Sequence, residues 1–255
     1  MRKIFLVFLM AFLCTFIFSG QVIAETILVG GYQFPPFVEI DENKQKISGI
    51  TIDLIKVMNE FQKKFKFKFT PTSAKRRYLF FEEKRFDIIM FEDIKWGWKN
   101  KDIVASKVIL KGGEVYITKS HPSKNQSYFN SLKKKSLAVI LGYHYGFANF
   151  NADEKFLKNN YKIQFNTSHK GNIIKVLLER ADISIVTLSF LKKFLKNNPD
   201  KKNKLMVSNK LDQQYNHTIL LRKNYKISKR EMDELLSKME NAGILARLWE
   251  KYGIE

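Results

Sequence analysis

The stretch ITIDLIKVMNEFQKKFKFKFTPTSAKRRYLFFEEKRFDIIMF, Ile50 to Phe91, decides the fold class. Its opening places Leu54, Met58, Phe61 and Phe65 at i, i+4, i+7 and i+11, with Ile55 beside them, the spacing of an amphipathic helix. KFKFT then alternates Phe67 and Phe69 with lysine, which predicts a strand. TSAKRRYLFFEEKR predicts a second helix, capped by Thr72 or Ser73, and FDIIMF is an apolar run of strand length. Upstream, TILVG (Thr26 to Gly30) is a further buried strand. Strand, helix, strand, helix, strand predicts an α/β fold with a parallel sheet and helices on its faces.

On the N-terminal side, the first strand runs into GGYQFPPF, Gly30 to Phe37. Adjacent prolines fix φ and donate no hydrogen bond, so the strand stops and Tyr32, Phe34 and Phe37 ride on a stiff loop. Further out, Arg2 and Lys3 precede a stretch without charge from Ile4 to Ala24, closed by Val22-Ile23-Ala24. That pattern predicts a Sec signal peptide over residues 1–24, cleaved after Ala24, with the mature chain in the periplasm. Cys14 falls inside this segment, so the mature chain has no cysteine and its core must hold it without a disulfide.

On the C-terminal side, GGEVYITKS (Gly112 to Ser120) is a strand and SLAVILGYHYG a strand and loop. KGNIIKVLLER, ADISIVT and LSFLKKFLKNN then read as helix, strand and helix, a second and smaller α/β unit. NHTILLRK (Asn216 to Lys223) returns as a strand, and SKRE at Ser228 to Glu231 reads as a capping box. Extended crossings near residues 112–119 and 214–222 predict a two-lobe clam with a two-strand hinge. Lobe 1 comprises residues 25–115 and 214–255, and lobe 2 residues 116–213. Ligands of open α/β sheets bind beyond the carboxyl ends of strands, which in a clam face one another across a cleft.

Composition excludes more than it assigns. The 45% hydrophobic and 27% charged content is that of a globular chain. The formal charge of +20 is built from lysine, with eight arginines among 45 basic residues, and the lysines are scattered rather than clustered. No nucleic-acid motif accompanies them, so no nucleic-acid partner is expected. The four histidines show no metal spacing, and neither a Gly-x-Ser-x-Gly elbow nor a phosphate loop is present, so no metal, cofactor or catalytic residue is expected.

In order along the chain, FPPF, SGITIDLIKVM, RFDIIM, LGYHYG, VLLERADISIV and NAGILARLWEKYG resemble the family-3 periplasmic solute-binding proteins, the amino-acid-binding receptors of ABC importers. The resemblance covers nearly all of residues 25–255. It implies a type II periplasmic-binding-protein fold, no enzyme activity, a monomer, a small polar ligand in the interlobe cleft and a membrane permease as partner. It also implies that Tyr32, Phe34 and Phe37 line the first lobe's wall. The family's carboxylate-binding arginine lies in the loop after the FDIIM-like strand, where this chain has Trp98 or Lys99, and its amine-binding aspartate corresponds to Thr187. Arg76, eleven residues before Asp87 and at a helix start, is the expected replacement for the arginine. Glu92, Trp96, Trp98, Tyr143, His144, Tyr145 and Thr187 complete the candidate ligand-binding set. Two alternatives stay open. One is a basic envelope protein binding anionic surface polymer. The other is a dehydratase-like enzyme on the same fold.

Overall fold

The computed structural model describes residues 24–41 and 43–254, so the expected signal peptide, apart from Ala24, lies outside the described residues. The first unit runs β1 (Glu25–Gly31), a hairpin of β2 (Glu39–Asp41) and β3 (Lys46–Ser48), α1 (Ile50–Phe61), β4 (Phe65–Pro71), α2 (Arg77–Glu82), β5 (Ile88–Glu92) and β6 (Ile103–Ala105). A long strand, β7 (Leu110–Lys119), leads into β8 (Ser136–Ile140), α3 (Glu154–Asn160), β9 (Lys162–Asn166), α4 (His169–Leu177), β10 (Ile183–Thr187) and α5 (Leu188–Asn197). The chain returns along β11 (Leu205–Arg222), followed by α6 (Lys229–Asn241) and α7 (Ile244–Lys251).

One continuous sheet has the order β4-β1-β5-β11-β7-β10-β8-β9, with β6 also on β11. At one end β1 pairs in parallel with β4 and β5; at the other β8 pairs in parallel with β9 and β10. Between these parallel sets, β7 and β11 run antiparallel to each other, from the Leu110–His217 pair to the Lys119–Leu205 pair. They are the two extended crossings. The register of β11 shifts between Val207 and Leu211 and again between Leu211 and Gln213. Such bulges re-aim side chains.

The same device opens each parallel set. Asp87 Oδ2 accepts the Leu28 N–H of β1 at 2.8 Å, and Asp182 Oδ2 accepts the Ser136 N–H of β8 at 2.7 Å. Each carboxylate ties the start of one strand to its neighbour, so the aspartates of RFDIIM and ADISIV are structural. The capping box of α6 is formed: Ser228 Oγ accepts the Glu231 N–H (3.2 Å) and Glu231 Oε2 accepts the Ser228 N–H (2.9 Å).

Two boundaries differ from the sequence expectation. The first helix stops at Phe61, which is 38% exposed, and Phe65 opens β4 instead of extending the helix. The Gln62 side chain ends it by closing the turn in both directions: Nε2 donates to Phe65 O and Oε1 accepts the Phe65 N–H, each at 2.8 Å. The second helix is confined to Arg77–Glu82, preceded by a turn in which Ser73 Oγ accepts the Arg76 N–H at 3.2 Å. That delay fixes which arginine faces inward.

Candidate functional site

The loops beyond the strand ends of both units meet in a seam. On the first unit's side, β1 leads into the loop carrying Tyr32 and Phe34, α2 presents Arg77, and the turn after β5 presents Trp96. On the second unit's side, the loop after β8 presents Tyr143 and His144. Glu114 of β7 and Gln213 of β11 form the floor. These eight residues enclose a cavity of about 10 Å³, the room of a single water. A groove of about 750 Å³ follows the same seam outside it, with Gln33 and Thr72–Lys75 on one bank and Ile140, Leu141 and Asn166–Ser168 on the other.

The walls touch directly. The Tyr143 hydroxyl donates to Gln33 O (2.9 Å), and Arg77 Nη1 donates to Gly142 O (3.1 Å). His144 Nδ1 faces Phe150 O at 2.6 Å and Nε2 faces the Tyr78 hydroxyl at 2.7 Å, while that hydroxyl also reaches Trp96 O at 2.5 Å. Burial holds the His144 ring neutral, its pKa lowered to about 4, with the Arg77 charge acting in the same direction. At the rim, Lys193 pairs with Glu39 (2.6 Å) and Lys75 with Glu154. Glycine lets the backbones approach this closely, at Gly142 across the seam and at Gly146 within the second unit. Gly142 has φ +81°, and a Cβ there would meet Lys75 N at 2.8 Å; a Cβ on Gly146 would meet Asp212 O at 2.0 Å.

Charge is concentrated at the centre. Arg77 is 1% exposed, and its guanidinium sits 4.9 Å from the Tyr32 ring centroid and 4.5 Å from that of Tyr78. Its Nε lies 3.4 Å from Glu92 Oε1, and Nη1 is also bonded to Ala74 O. Glu92 is fully buried and accepts the Trp98 indole N–H at 2.7 Å. Burial pushes the Glu92 carboxyl up, against the pull of Arg77 and the indole. Glu114 is also buried, and Gln213 Nε2 donates to it at 2.8 Å. Burial, reinforced by the neighbouring Asp212 charge, raises the Glu114 pKa to about 8. Gln213 is held in turn by the Trp96 indole, whose Nε1 donates to Gln213 Oε1 at 2.9 Å.

The expected site residues divide into three groups. Tyr32, Phe34, Trp96, Tyr143 and His144 line the cavity. Glu92, Trp98, Phe37, Tyr145 and Thr187 stand behind it. Trp98 is fully buried against Tyr78 and Phe81, and Phe37 packs on Phe91 and His217 at 4.6 and 4.5 Å. The Tyr145 hydroxyl accepts the Ile140 N–H (2.7 Å) and so braces the 142–146 loop, while Thr187 Oγ1 meets His169 Nε2 at 3.0 Å. Arg76 is corrected: it is exposed, and the neighbouring Arg77 occupies the wall instead. The helical phase decides this, because Ala74, Arg77 and Phe81 form one buried stripe at i, i+3 and i+7. Sequence reasoning missed Arg77, Glu114 and Gln213. For Glu114 a signal was present, a lone charge inside the apolar run GGEVYIT.

A seam walled by two α/β units and crossed by two long strands is the architecture of a type II two-lobe binding protein. The chain belongs to the bacterial extracellular solute-binding proteins, family 3, whose model matches residues 27–255. The fold is similar to that of a putative ABC-transporter binding component from Wolinella succinogenes complexed with lysine: TM-score 0.71, 18% identity, 89% of this chain and 94% of that one. It is similar as well to ArgBP from T. maritima, with TM-score 0.68, 20% identity, and coverage of 89% and 94%. An ancestral amino-acid-binding protein described as a precursor of cyclohexadienyl dehydratase gives TM-score 0.68 at 21% identity, with coverage of 89% and 95%. A search of curated proteins gave no match.

Proposed function

We propose that this chain is a periplasmic receptor that captures a small polar solute between its two units and delivers it to an ABC-type importer. The lobes are residues 25–115 with 214–255, and 116–213, hinged on β7 and β11. One observation carries the reading: the charged and aromatic residues around the cavity come from both units, and the bonds that close the seam also cross between them. A site divided in this way exists only when the lobes are together, so ligand binding and closure are one event. Family membership supports an exported, non-enzymatic binding role, and the charge-free stretch before Glu25 supports Sec export. Trp98 and Thr187 offer a ligand no charge and are engaged with Glu92 and His169. The usual α-amino-acid anchors are therefore not reproduced at those positions.

The test is small-angle scattering on protein with and without a compound found by thermal shift among the twenty amino acids, polyamines, small carboxylates and short peptides. Compaction on binding is expected. An unchanged radius of gyration in protein shown to bind overturns the clam reading. Mass spectrometry of exported protein should find Glu25 at the N-terminus.

A further inference from the structure

One histidine bridges the seam. The His144 ring belongs to the second unit, where Nδ1 faces Phe150 O at 2.6 Å, and it reaches the first unit through Nε2, which faces the Tyr78 hydroxyl at 2.7 Å. A carbonyl only accepts, so Nδ1 carries the proton of the neutral ring and Nε2 accepts from Tyr78. The first unit packs closely on this contact: a Cβ on Gly97 would meet the Tyr78 hydroxyl at 2.8 Å and His144 Cε1 at 3.1 Å. The backbone behind the ring is held at the hinge, where Gln213 Nε2 donates to His144 O at 2.6 Å. The surroundings of the ring therefore depend on closure. With the units together it is enclosed by both; with the units apart it meets water.

Resting on the two units opening and closing around a solute, we propose that His144 is a proton-sensitive latch: acid charges this ring, opens the seam and releases the solute. Protonation does not break the ring's hydrogen bonds. Nε2 becomes a donor, and the Tyr78 hydroxyl turns its proton to Trp96 O, 2.5 Å away. The cost is one of charge. The titratable and charged groups around the ring are Arg77 and Tyr78 of α2, Tyr32, Tyr143 and Glu114 on the shared cavity, Asp212 on the amides of Gly146 and Phe147, and Lys95 over the Phe150 ring at 5.3 Å. Arg77 is a cation that flanks Tyr78 together with His144, and its counter-ion Glu92 lies on its far side from the solvent, buried with it at 3.4 Å. Glu114 offers no anion, because burial keeps it protonated up to about pH 8. Asp212 is committed to the two amides and to the Tyr116 hydroxyl at 2.5 Å. Burial pushes Tyr32, Tyr78 and Tyr143 up, so they stay neutral. In the closed seam burial, with Arg77 adding to it, lowers the ring's pKa to about 4, against 6.5 for a ring in water. The closed form is thus fully favoured above pH 6.5 and loses its advantage as pH falls towards 4.

The experiment counts open and closed molecules by single-molecule energy transfer, between dyes on Glu60→Cys and Lys196→Cys, exposed positions on the two units of the exported protein. The unliganded protein is followed from about pH 7.5 to about pH 5, with circular dichroism beside it to confirm that it stays folded. Two variants are compared in the same background. His144→Gln keeps a polar side chain that does not titrate. Gly142→Asn tolerates a positive φ and wedges the seam against Lys75 N. The wild-type closed-to-open ratio should fall about thirtyfold over that range, as a ring titrating at about 4 when closed and 6.5 when open requires, and His144→Gln should stay level. Equal falls in both proteins assign the effect to another group and overturn the inference. A wild-type ratio that stays level or rises in acid overturns it too, as does a wild type with no closed molecules at the upper pH. The wedge separates the two readings. If Gly142→Asn opens the protein and acid does not, only the latch fails; if neither produces an open population, the clam reading fails with it.

Discussion

The wall built by α2 and β5 and the floor built by β7 and β11 both bury a glutamate beside the same cavity, yet they treat it differently. Glu92 has an ion pair with Arg77 at 3.4 Å and an indole donor at 2.7 Å. Glu114 has one amide donor and a carboxylate neighbour. The wall sets its carboxyl against an opposite charge inside the fold, although Arg77 Nε and Glu92 Oε1 make no hydrogen bond. The floor sets its carboxyl beside a like charge, and burial keeps it protonated up to about pH 8. Burial is common to both glutamates; what separates them is the charged neighbour, a guanidinium for Glu92 and a carboxylate for Glu114.

Breaking the wall gives the largest expected effect. Arg77→Met leaves Glu92 buried without a cation, and losing one member of a buried pair costs about 3–5 kcal/mol. The midpoint of urea unfolding should fall accordingly. Adding Glu92→Leu to the same protein should recover most of that loss, since apolar residues of similar volume commonly replace a buried pair at little cost. A double variant as unstable as Arg77→Met alone would show that packing rather than charge is at stake.

Breaking the floor should act in the opposite direction. The sign follows from linkage. An unfolded glutamate titrates near 4.5, whereas Glu114 in the fold titrates near 8. Between those values the folded state holds a proton that the unfolded state has lost, so stability falls as pH rises. His169 and His217, lowered by burial to about 3, work the other way and lose stability as pH falls below 6.5. Unfolded histidines are still half-protonated at pH 6.5, and His144 adds to their effect, but all three cancel in the difference between the wild type and Glu114→Gln. From pH 6.5 to 8 the wild type should lose stability relative to Glu114→Gln, by about 1–2 kcal/mol. Parallel pH profiles for the two proteins would place the Glu114 carboxyl in a better-solvated position than the cavity floor.

The fold was legible because strand and helix periodicities are local and each parallel set repeats the strand–helix pattern. The site was legible where ring clusters interrupt that pattern, at Tyr32, Phe34, Trp96, Tyr143 and His144. It was not legible where one residue of phase matters. A helix expected from Thr72 or Ser73 does not specify whether Arg76 or Arg77 turns inward, and the observed start at Arg77 depends on the turn through Ser73. Glu114 and Gln213 stayed hidden because a polar residue in a hinge strand acquires its role from partners on two other strands and from the bulge beside Gln213.

Closure itself links floor and wall, and a smaller change probes it. Tyr143→Phe removes the hydroxyl that donates to Gln33 O across the seam at 2.9 Å while leaving the ring in the cavity wall. One neutral hydrogen bond is worth about 1 kcal/mol, or about a fivefold shift in the closed-to-open ratio. Small-angle scattering on the unliganded protein should show a larger average radius for the variant. Urea unfolding monitored beside it should move little, because the bond joins the lobes rather than holding either one together. A full loss of stability without expansion would place the hydroxyl's role inside one lobe.

The smallest effect is expected at Arg76, and it is the sharpest control on the comparison. Arg76 and Arg77 are adjacent in a chain poor in arginine, and both stand at the start of α2. One is exposed, with its backbone N–H held by Ser73; the other is 1% exposed, stacked between two rings and paired with Glu92. A solvated arginine with no ion-pair partner among the described residues contributes little, so Arg76→Ala should change unfolding free energy by no more than about 0.5 kcal/mol. Cleft affinity should also be unchanged within error, because the residue does not reach the cavity. Arg77→Lys, by contrast, keeps a charge but loses the planar group that lies between Tyr32 and Tyr78, and should weaken both stability and closure. The pair is measured by urea unfolding and calorimetry with the same ligand. If Arg76→Ala proves as damaging as Arg77→Lys, then the helix starts a residue earlier in solution, and the division between a wall carboxyl paired with a cation and a floor carboxyl beside a like charge must be redrawn around Arg76.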